Sequence, residues 1–304
     1  MKIAFLIFAH HSPQNLTRLI SGLDDPHFDI FVHMDAKANL QDFQLDTCKL
    51  THSRLYLVPH RVFTHWADIS LLDAMLYSYR YALSVGNYDW FVTLSGEDYP
   101  IQSNSAIYTY LAQRHTDCIC ISHSLSPARI QGYWFWKLHN RLLVRTIRKG
   151  LHCLGIRKKP YFTVNGKRWV ICKSSQWHAL TQASVRHILS IMDQFPCIRR
   201  YFQFSHAPDE LVIPTILYNS PPSGSVPIPS PSTSQSFHNL AAIHFLEYNP
   251  HKGSSVTVFD ESAYSAAIAS KKLFLRKVRH GKSDTLMDLL DHFRNEVPAP
   301  QDSY

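Results

Sequence analysis

Glycine is scarce: the 304 residues contain only 10. Neither G-x-G-x-x-G nor G-x-x-x-x-G-K-[ST] occurs, so the Gly-rich turns that cradle phosphate with backbone N–H groups are missing. Any phosphate must then be held by side chains. G-x-S-x-G is absent, which excludes the nucleophile elbow of an ordinary α/β-hydrolase. H-E-x-x-H is absent too, and the 19 His show no zinc-ligand spacing, so most read as surface or packing residues. The six cysteines (Cys48, Cys118, Cys120, Cys153, Cys172 and Cys197) include no C-x-x-C, and Cys118-Ile119-Cys120 reads as alternating strand packing. No apolar run reaches the roughly 18–20 residues of a spanning helix. The opening apolar run is only about seven residues and no small-residue cleavage site follows, so it reads as a buried strand rather than a signal peptide. These absences place the chain in the cytoplasm with reduced thiols.

Charged residues are few, 18% of the chain, but unbalanced: 31 Lys and Arg against 23 Asp and Glu, a net +8. Such a surplus suits anionic partners, whether nucleic acid, a membrane surface or phosphorylated small molecules. The basic residues gather mainly in 137–168 and 271–282. With 45% hydrophobic and 12% aromatic residues the chain can bury a substantial core, which excludes disorder for most of its length.

Apolar periodicity predicts an α/β alternation. Residues 3–9, 29–33, 54–58 and 89–94 are short apolar runs of the buried-strand type. Ser12-Pro13 opens a helix with Leu16, Leu19, Ile20 and Leu23 on one face, and 66–83 carries apolar residues at three- and four-residue spacing. The alternation implies a mostly parallel sheet covered by helices, with ligands beyond the carboxyl ends of the strands. His10, His33, Asp35 and residues 96–100 then share one rim. Further on, Tyr133-Trp134-Phe135-Trp136 and the basic residues after it read as an aromatic, basic helix. Residues 169–172 read as a strand and 176–180 as a helix start. Pro208-Asp209-Glu210 opens a helix running through Leu217, and 241–246 is a strand. Residues 220–236, rich in Pro and Ser, form an exposed loop, and 285–293 closes the chain as an amphipathic helix.

Four patches carry polar groups suited to chemistry: His10-His11 with His33-Met34-Asp35; Ser95-Gly96-Glu97-Asp98; Pro208-Asp209-Glu210; and the basic run ending in Arg276-Lys277. Each alone has an ordinary explanation as a strand end, an acidic turn, a helix cap or a solvated stripe. Their order and spacing are more informative. Ile7-Phe8-Ala9-His10, Phe31-Val32-His33-Met34-Asp35-Ala36-Lys37, Trp66-Ala67-Asp68-Ile69-Ser70, 90–101 (ending in Leu94-Ser95-Gly96-Glu97-Asp98-Tyr99-Pro100-Ile101), Lys173-Ser174-Ser175-Gln176-Trp177, Pro208-Asp209-Glu210 with 215–220, and Leu273-Phe274-Leu275-Arg276-Lys277-Val278 follow one another along nearly the whole chain. In this they resemble the core-2/I-branching glycosyltransferases, the family that also contains peptide O-xylosyltransferases.

The resemblance implies a GT-A-like fold in a single domain, 1–304, with a nucleotide-binding half, 1–125, and an acceptor half, 126–304, whose C-terminal segment binds the diphosphate. It implies inverting, metal-independent transfer from a UDP-sugar, GlcNAc or xylose being the family's donors, to a hydroxyl of a glycan or lipid-linked oligosaccharide. No cofactor is expected. Glu210 matches the family's catalytic base, with Asp209 capping the helix and orienting the loop beside the acceptor. Lys277, with Arg276 nearby, matches the group that stabilises the leaving UDP. Glu97, Asp98 and Trp177 fall on the sugar or acceptor side, and His10, His33, Asp35 and Trp66 towards the nucleotide. One departure weakens the diphosphate site: an Arg common in the family corresponds to Ala241, with Lys271, Lys272 or Arg276 left to compensate. The basic aromatic stretch 133–159 is expected either to rest on an anionic membrane or to pack its rings inward. The alternatives are a UDP-sugar-binding protein without catalysis and, on charge alone, a nucleic-acid-binding module, whose binding would be steeply salt-dependent.

Overall fold

The computed structural model describes residues 1–43, 45, 48–123, 125–138, 141–222, 241–248 and 256–296. The first apolar runs become β1 (Ile3–Ala9), β2 (Phe28–Met34), β3 (Arg54–Leu57), β4 (Trp90–Ser95) and the short β5 (Asp98–Pro100). Among them stand α1 (Pro13–Gly22), α2 (Ile69–Val85) and, after β5, α3 (Asn104–Ala112). Next come α4 (Pro127–Gln131), α5 (Arg141–Cys153), the hairpin β6 (Phe162–Val164) and β7 (Lys167–Trp169), and β8 (Ala179–Thr181). The remainder is α6 (Gln182–Gln194), α7 (Pro196–Phe202), α8 (Val212–Asn219), β9 (His244–Leu246), α9 (Tyr264–Ala269), β10 (Phe274–Arg276) and α10 (Asp284–Glu296).

Five strands form the central sheet in the order β3-β2-β1-β4-β8, all parallel except β8, which runs antiparallel to β4. Every residue of β1, β2 and β4 is buried, as continuous apolar runs covered on both faces require. One face packs Leu6, Phe31 and Phe91 against Leu72, Met75 and Tyr79 of α2 and against α6 and α8. The other packs Phe5, Ile7 and Val92 against Leu16, Leu19 and Ile20 of α1 and against α3.

A second sheet, β5-β10-β9, carries the C-terminal segment back to the rim of the first. β10 is antiparallel to β5 with Asp98 opposite Arg276, and parallel to β9. α10 fixes this arrangement: Arg18 of α1 donates to Asp291 (2.7 Å) and Asp288 (2.6 Å), the Tyr99 hydroxyl donates to Asp291 (2.7 Å), and Arg294 donates to the Gly22 carbonyl (2.6 Å).

Several local expectations change. Helix α2 starts at Ile69, because the Asp68 carboxylate accepts the Ser70 N–H and caps it, leaving Trp66 outside. The 133–136 aromatic run lies between α4 and α5 rather than on a helix. The expected 169–172 strand is displaced to β7, and the predicted helix start at 176–180 is in fact β8, with α6 beginning only after the Thr181 cap. Short apolar runs do not distinguish a strand from a buried helix start. Pro208–Glu210 is a 3₁₀ turn that precedes α8 instead of opening it. Of the Pro/Ser loop, 223–236 lies outside the described residues, and the strand expected at 241–246 is reduced to β9. Among the described residues no helix is long and apolar enough to cross a membrane.

Candidate active site

Two polar clusters stand past the carboxyl ends of the parallel strands. The first grows from the sheet register. β1 pairs with β4 so that Phe8 is opposite Ser95, and both chains leave the sheet together. Gly96 lies against β1: its N–H donates to the Phe8 carbonyl (3.0 Å), and a Cβ at Gly96 would meet the Ala9 Cβ at 3.2 Å. That close approach turns Glu97 and Asp98 towards β10.

Asp98 is completely buried. Its carboxylate accepts the Ser95 N–H (2.7 Å), the Ser95 hydroxyl (3.0 Å) and Arg276 Nη1 (2.7 Å), and His244 Nε2 lies 3.3 Å away. Burial favours the neutral acid, but Arg276 above all, then His244, outweighs it and holds Asp98 at about 2. The Arg276 guanidinium also donates to the Ser95 hydroxyl and lies 4.4 Å above the Trp177 ring.

Beside this locked pair lies a more open one. Glu97 Oε2 accepts Lys277 Nζ at 2.8 Å, and Glu97 Oε1 accepts Arg279 Nη2 at 3.2 Å, with His11 Nε2 at 3.8 Å. Burial pushes Glu97 up, while Lys277 first and Arg276 next pull it below the ordinary carboxylate range. The Lys277 side chain is 26% exposed and that of Arg279 55%, so this cationic edge can meet an anion from solvent. Burial lowers both His10 and His11, which favours neutral imidazoles there.

The second cluster centres on Glu210. Its side chain is 20% exposed and pairs with Arg129 through Oε2, and its carbonyl accepts the Ser174 N–H (2.9 Å). Burial raises Glu210, against the downward pull of Arg129 and Lys173. Asp209 is buried, and its Oδ1 has no hydrogen-bond partner among the described residues. Burial first and the neighbouring Glu210 second raise it, favouring the protonated acid. The turn depends on backbone shape: Ala207 (φ 51°) and Ala67 (φ 57°) both adopt the left-handed region, and the Ala207 N–H donates to the Ala67 carbonyl (2.9 Å). Strained residues of this kind concentrate at functional sites. Trp66, 68% exposed, meets Trp136 edge-on (4.9 Å between centroids), and Trp134, Trp136 and His206 complete an aromatic wall. Tyr248 feels the charges of Glu210, Arg276 and Arg129, which puts it within electrostatic reach of both clusters.

The structure therefore groups the residues singled out from sequence. Glu97, Lys277 and His10 come together in one cluster, and Glu210 and Trp66 in the other. Asp98, Arg276 and Trp177 are buried, as is Glu97 itself, so in the first cluster Lys277 and His10 are the groups that reach solvent. His33 and Asp35 are buried as well. His33 Nε2 accepts the Val62 N–H (3.0 Å), burial lowering it to about 4, and Asp35 accepts the Lys37 N–H (2.8 Å) and the Thr64 hydroxyl. Asp209 lies inside the 3₁₀ turn rather than at its cap position, which Ala207 occupies. At Ala241, Lys272 Nζ bonds the Ala241 and Ala242 carbonyls (3.0 and 2.9 Å), and Arg276 is held by Asp98. Neither stands open beside an anion.

Sequence reasoning missed Arg129, Arg279 and Tyr248. Arg279 was accessible from the basic run 271–282, in which it follows Lys277 by two residues. Arg129 carried no signal, since it reaches Glu210 across 81 residues of chain. Among the described residues no group of three or more His, Cys, Asp or Glu gathers as metal ligands.

A mostly parallel α/β sheet with polar side chains converging past its strand ends defines the enzyme class in which a ligand binds at the carboxyl rim. The family model for Core-2/I-Branching enzymes matches residues 3–227, and the chain belongs to that family. It is 26% identical over 231 residues to human xylosyltransferase 1, covering 73% of this chain and 22% of that protein. It is 25% identical over 227 residues to xylosyltransferase 2 of Canis lupus familiaris, covering 73% and 25%. The chain thus matches about a quarter of the length of these relatives. Among solved structures, mouse xyloside xylosyltransferase 1 in its apo form aligns at 9% identity and a TM-score of 0.32, covering 70% of this chain and 81% of that one. Glucosyl-3-phosphoglycerate synthase from Mycobacterium tuberculosis aligns at 13% and 0.29, covering 64% and 66%.

Proposed function

We propose that this chain is a GT-A-like, inverting glycosyltransferase that works without a metal, moving GlcNAc or xylose from a UDP-sugar to a hydroxyl of a glycan or lipid-linked oligosaccharide. The observation that carries the proposal is the division of charge between the two clusters. A carboxylate raised by burial, Glu210, stands in one, and a cationic edge, Lys277 with Arg279, stands in the other. Glu210 accepts the proton of the acceptor hydroxyl as that oxygen bonds to the anomeric carbon. The bond from that carbon to the β-phosphate oxygen breaks on the opposite face, and its electron pair leaves with UDP. Lys277 and Arg279 meet the charge that develops there, the role a divalent ion takes elsewhere. Asp98 and Arg276 keep β5 and β10 in register, so that Glu97 can aim Lys277.

The test is a calorimetric screen of UDP, UDP-GlcNAc, UDP-xylose, UDP-glucose and UDP-galactose, each with EDTA and with Mn²⁺. UDP binding that survives EDTA and is lost in Lys277→Ala supports the reading, and the tightest sugar names the donor. Binding that requires Mn²⁺ rejects it. One observation favours a second reading, a UDP-sugar-binding protein without transfer: Ala241 stands where the family expects Arg, and Lys272 is occupied at its carbonyl. Donor turnover abolished by Glu210→Gln rejects that alternative. Peripheral contact with an anionic membrane surface from the cytoplasmic side also belongs to the proposal.

A further inference from the structure

Beyond the two clusters, one cavity of about 440 Å³ lies beside α5, lined by Tyr133, Arg148, Lys149, Leu151, Ile156 and Arg157. Its charge is one-sided for a reason visible in the chain: no Asp or Glu occurs between Asp117 and Asp193, while Lys and Arg recur throughout. Among the described residues no carboxylate pairs with Arg148, Lys149 or Arg157. Behind the cavity Lys158 is buried, donating to the Ser205 hydroxyl at 2.5 Å and lying 5.2 Å from the Tyr201 ring, and burial lowers it to about 8. A concave wall of uncompensated cations is costly to keep unless an anion visits it.

Apolar side chains also stand in solvent in and near this lining: Ile156, in the lining itself, is 46% exposed, and Leu154, two residues before it, 75%. Leu142 of α5 is 76% exposed. On α5 Leu142 lies two turns before Lys149 on the same face, so an exposed leucine stands in line with a cation of the cavity, while Leu143, Ile147 and Leu151 follow another arc. Small anions and nucleic acids satisfy the cations but give those leucines nothing. A phosphate attached to a hydrocarbon chain satisfies both.

We propose that the α5 cavity is a binding site for the phosphate of an anionic membrane lipid, with Arg148, Lys149 and Arg157 as the phosphate ligands and Leu142, Leu154 and Ile156 entering the hydrocarbon boundary. The site adjoins the Glu210 cluster. The Arg148 guanidinium lies 3.5 Å above the Trp134 ring, Trp134 packs on His206 (4.7 Å), and His206 feels both Arg148 and Arg129, the partner of Glu210. A lipid phosphate held there would present whatever it carries along the tryptophan wall towards Glu210. That last step rests on the glycosyltransferase reading; the lipid site itself does not.

The experiment is flotation of the full chain with phosphatidylcholine vesicles and with vesicles containing phosphatidylglycerol. Inorganic phosphate and a single-stranded oligonucleotide serve as competitors, and donor hydrolysis is measured on the same preparations. Binding to the anionic vesicles alone is expected. Lys149→Glu with Arg157→Glu should weaken it at least about thirtyfold, from the loss of attraction per basic residue near such a surface. Leu142→Ser with Leu154→Ser should weaken it too, and that loss should persist in high salt, where charge attraction is screened. Equal binding to neutral vesicles, no binding to either, indifference to the charge reversals, or displacement by oligonucleotide or inorganic phosphate would each overturn the proposal. Lys149 and Arg157 take no part in the chemistry, so donor hydrolysis should be unchanged by their reversal. Hydrolysis absent from the unaltered protein would count against the glycosyltransferase reading and leave the vesicle result standing.

Discussion

Lys277 Nζ lies 2.8 Å from Glu97 Oε2, joining the segment after β10 to the turn after β4. Neither residue is fixed by its own segment: Glu97 also holds Arg279, and its carbonyl accepts the Val278 N–H at 2.8 Å. The cationic edge therefore owes its position to a carboxylate that itself binds no anion.

This relationship separates two variants. Lys277→Ala should lower kcat/KM by about 10²–10³, the usual loss on removing one preorganised group from a developing anion. Glu97→Gln retains a hydrogen-bond acceptor but frees two cations from neutralisation. UDP affinity should survive in Glu97→Gln while kcat falls, because the cations remain and lose their aim. Steady-state kinetics with product-inhibition constants for UDP would check both, and loss of UDP affinity in Glu97→Gln would refute the positioning role.

Glu210 must be ionised to accept a proton, and burial raises it. Activity should therefore fall as pH drops through a value above the ordinary glutamate range. Arg129 opposes that rise, so Arg129→Ala should move the acidic limb of kcat/KM to higher pH, and Glu210→Gln should abolish transfer with donor binding intact. A pH–rate profile of the Arg129 variant superimposable on the parent would show that Glu210 is not the titrating base.

Asp98 bears on stability. Its carboxyl is held at about 2 in the folded chain, below the ordinary value near 4, so its stabilisation is complete above about pH 4 and is lost as pH falls towards 2. That difference amounts to about 2 kcal/mol. Asp98→Asn should cost more, on the order of 3–5 kcal/mol, by leaving the Arg276 guanidinium buried without its counter-charge. Urea denaturation at pH 7 and at pH 3 would measure both. Equal stability of parent and variant at pH 7 would contradict the buried pair.

The left-handed alanines predict a steric asymmetry. Ala207→Gly relieves backbone strain but adds freedom to the unfolded chain, so its effect should stay within about 1 kcal/mol of zero. Ala207→Val places a branched Cβ in the same conformation and should destabilise by roughly 2 kcal/mol, displacing the Asp209–Glu210 turn. Thermal melts of the pair, with transfer rates, provide the comparison.

The sequence alone determined the parts whose physics is local or repeated. The apolar run at 3–9 becomes a buried parallel strand because no polar side chain interrupts it, and within 90–94 the one polar group, the Thr93 hydroxyl, is satisfied by the Gln176 carbonyl (2.8 Å); the apolar stripe of α1 faces the sheet because its spacing matches the helical turn. The ordered motifs from His10 to Glu210 carried the family, whose model matches residues 3–227. Tertiary structure alone decided which carboxylate meets which cation. Asp98 and Glu97 are adjacent in sequence and both buried, yet strand pairing gives one to Arg276 and the other to the more exposed Lys277 and Arg279. Arg129 of α4 reaches Glu210, and Arg148 of α5 reaches the Trp134 ring, contacts that no local periodicity announces. Side-chain partners far apart in the chain are set by strand register, burial and backbone turns acting together, and none of these is a property of a single segment.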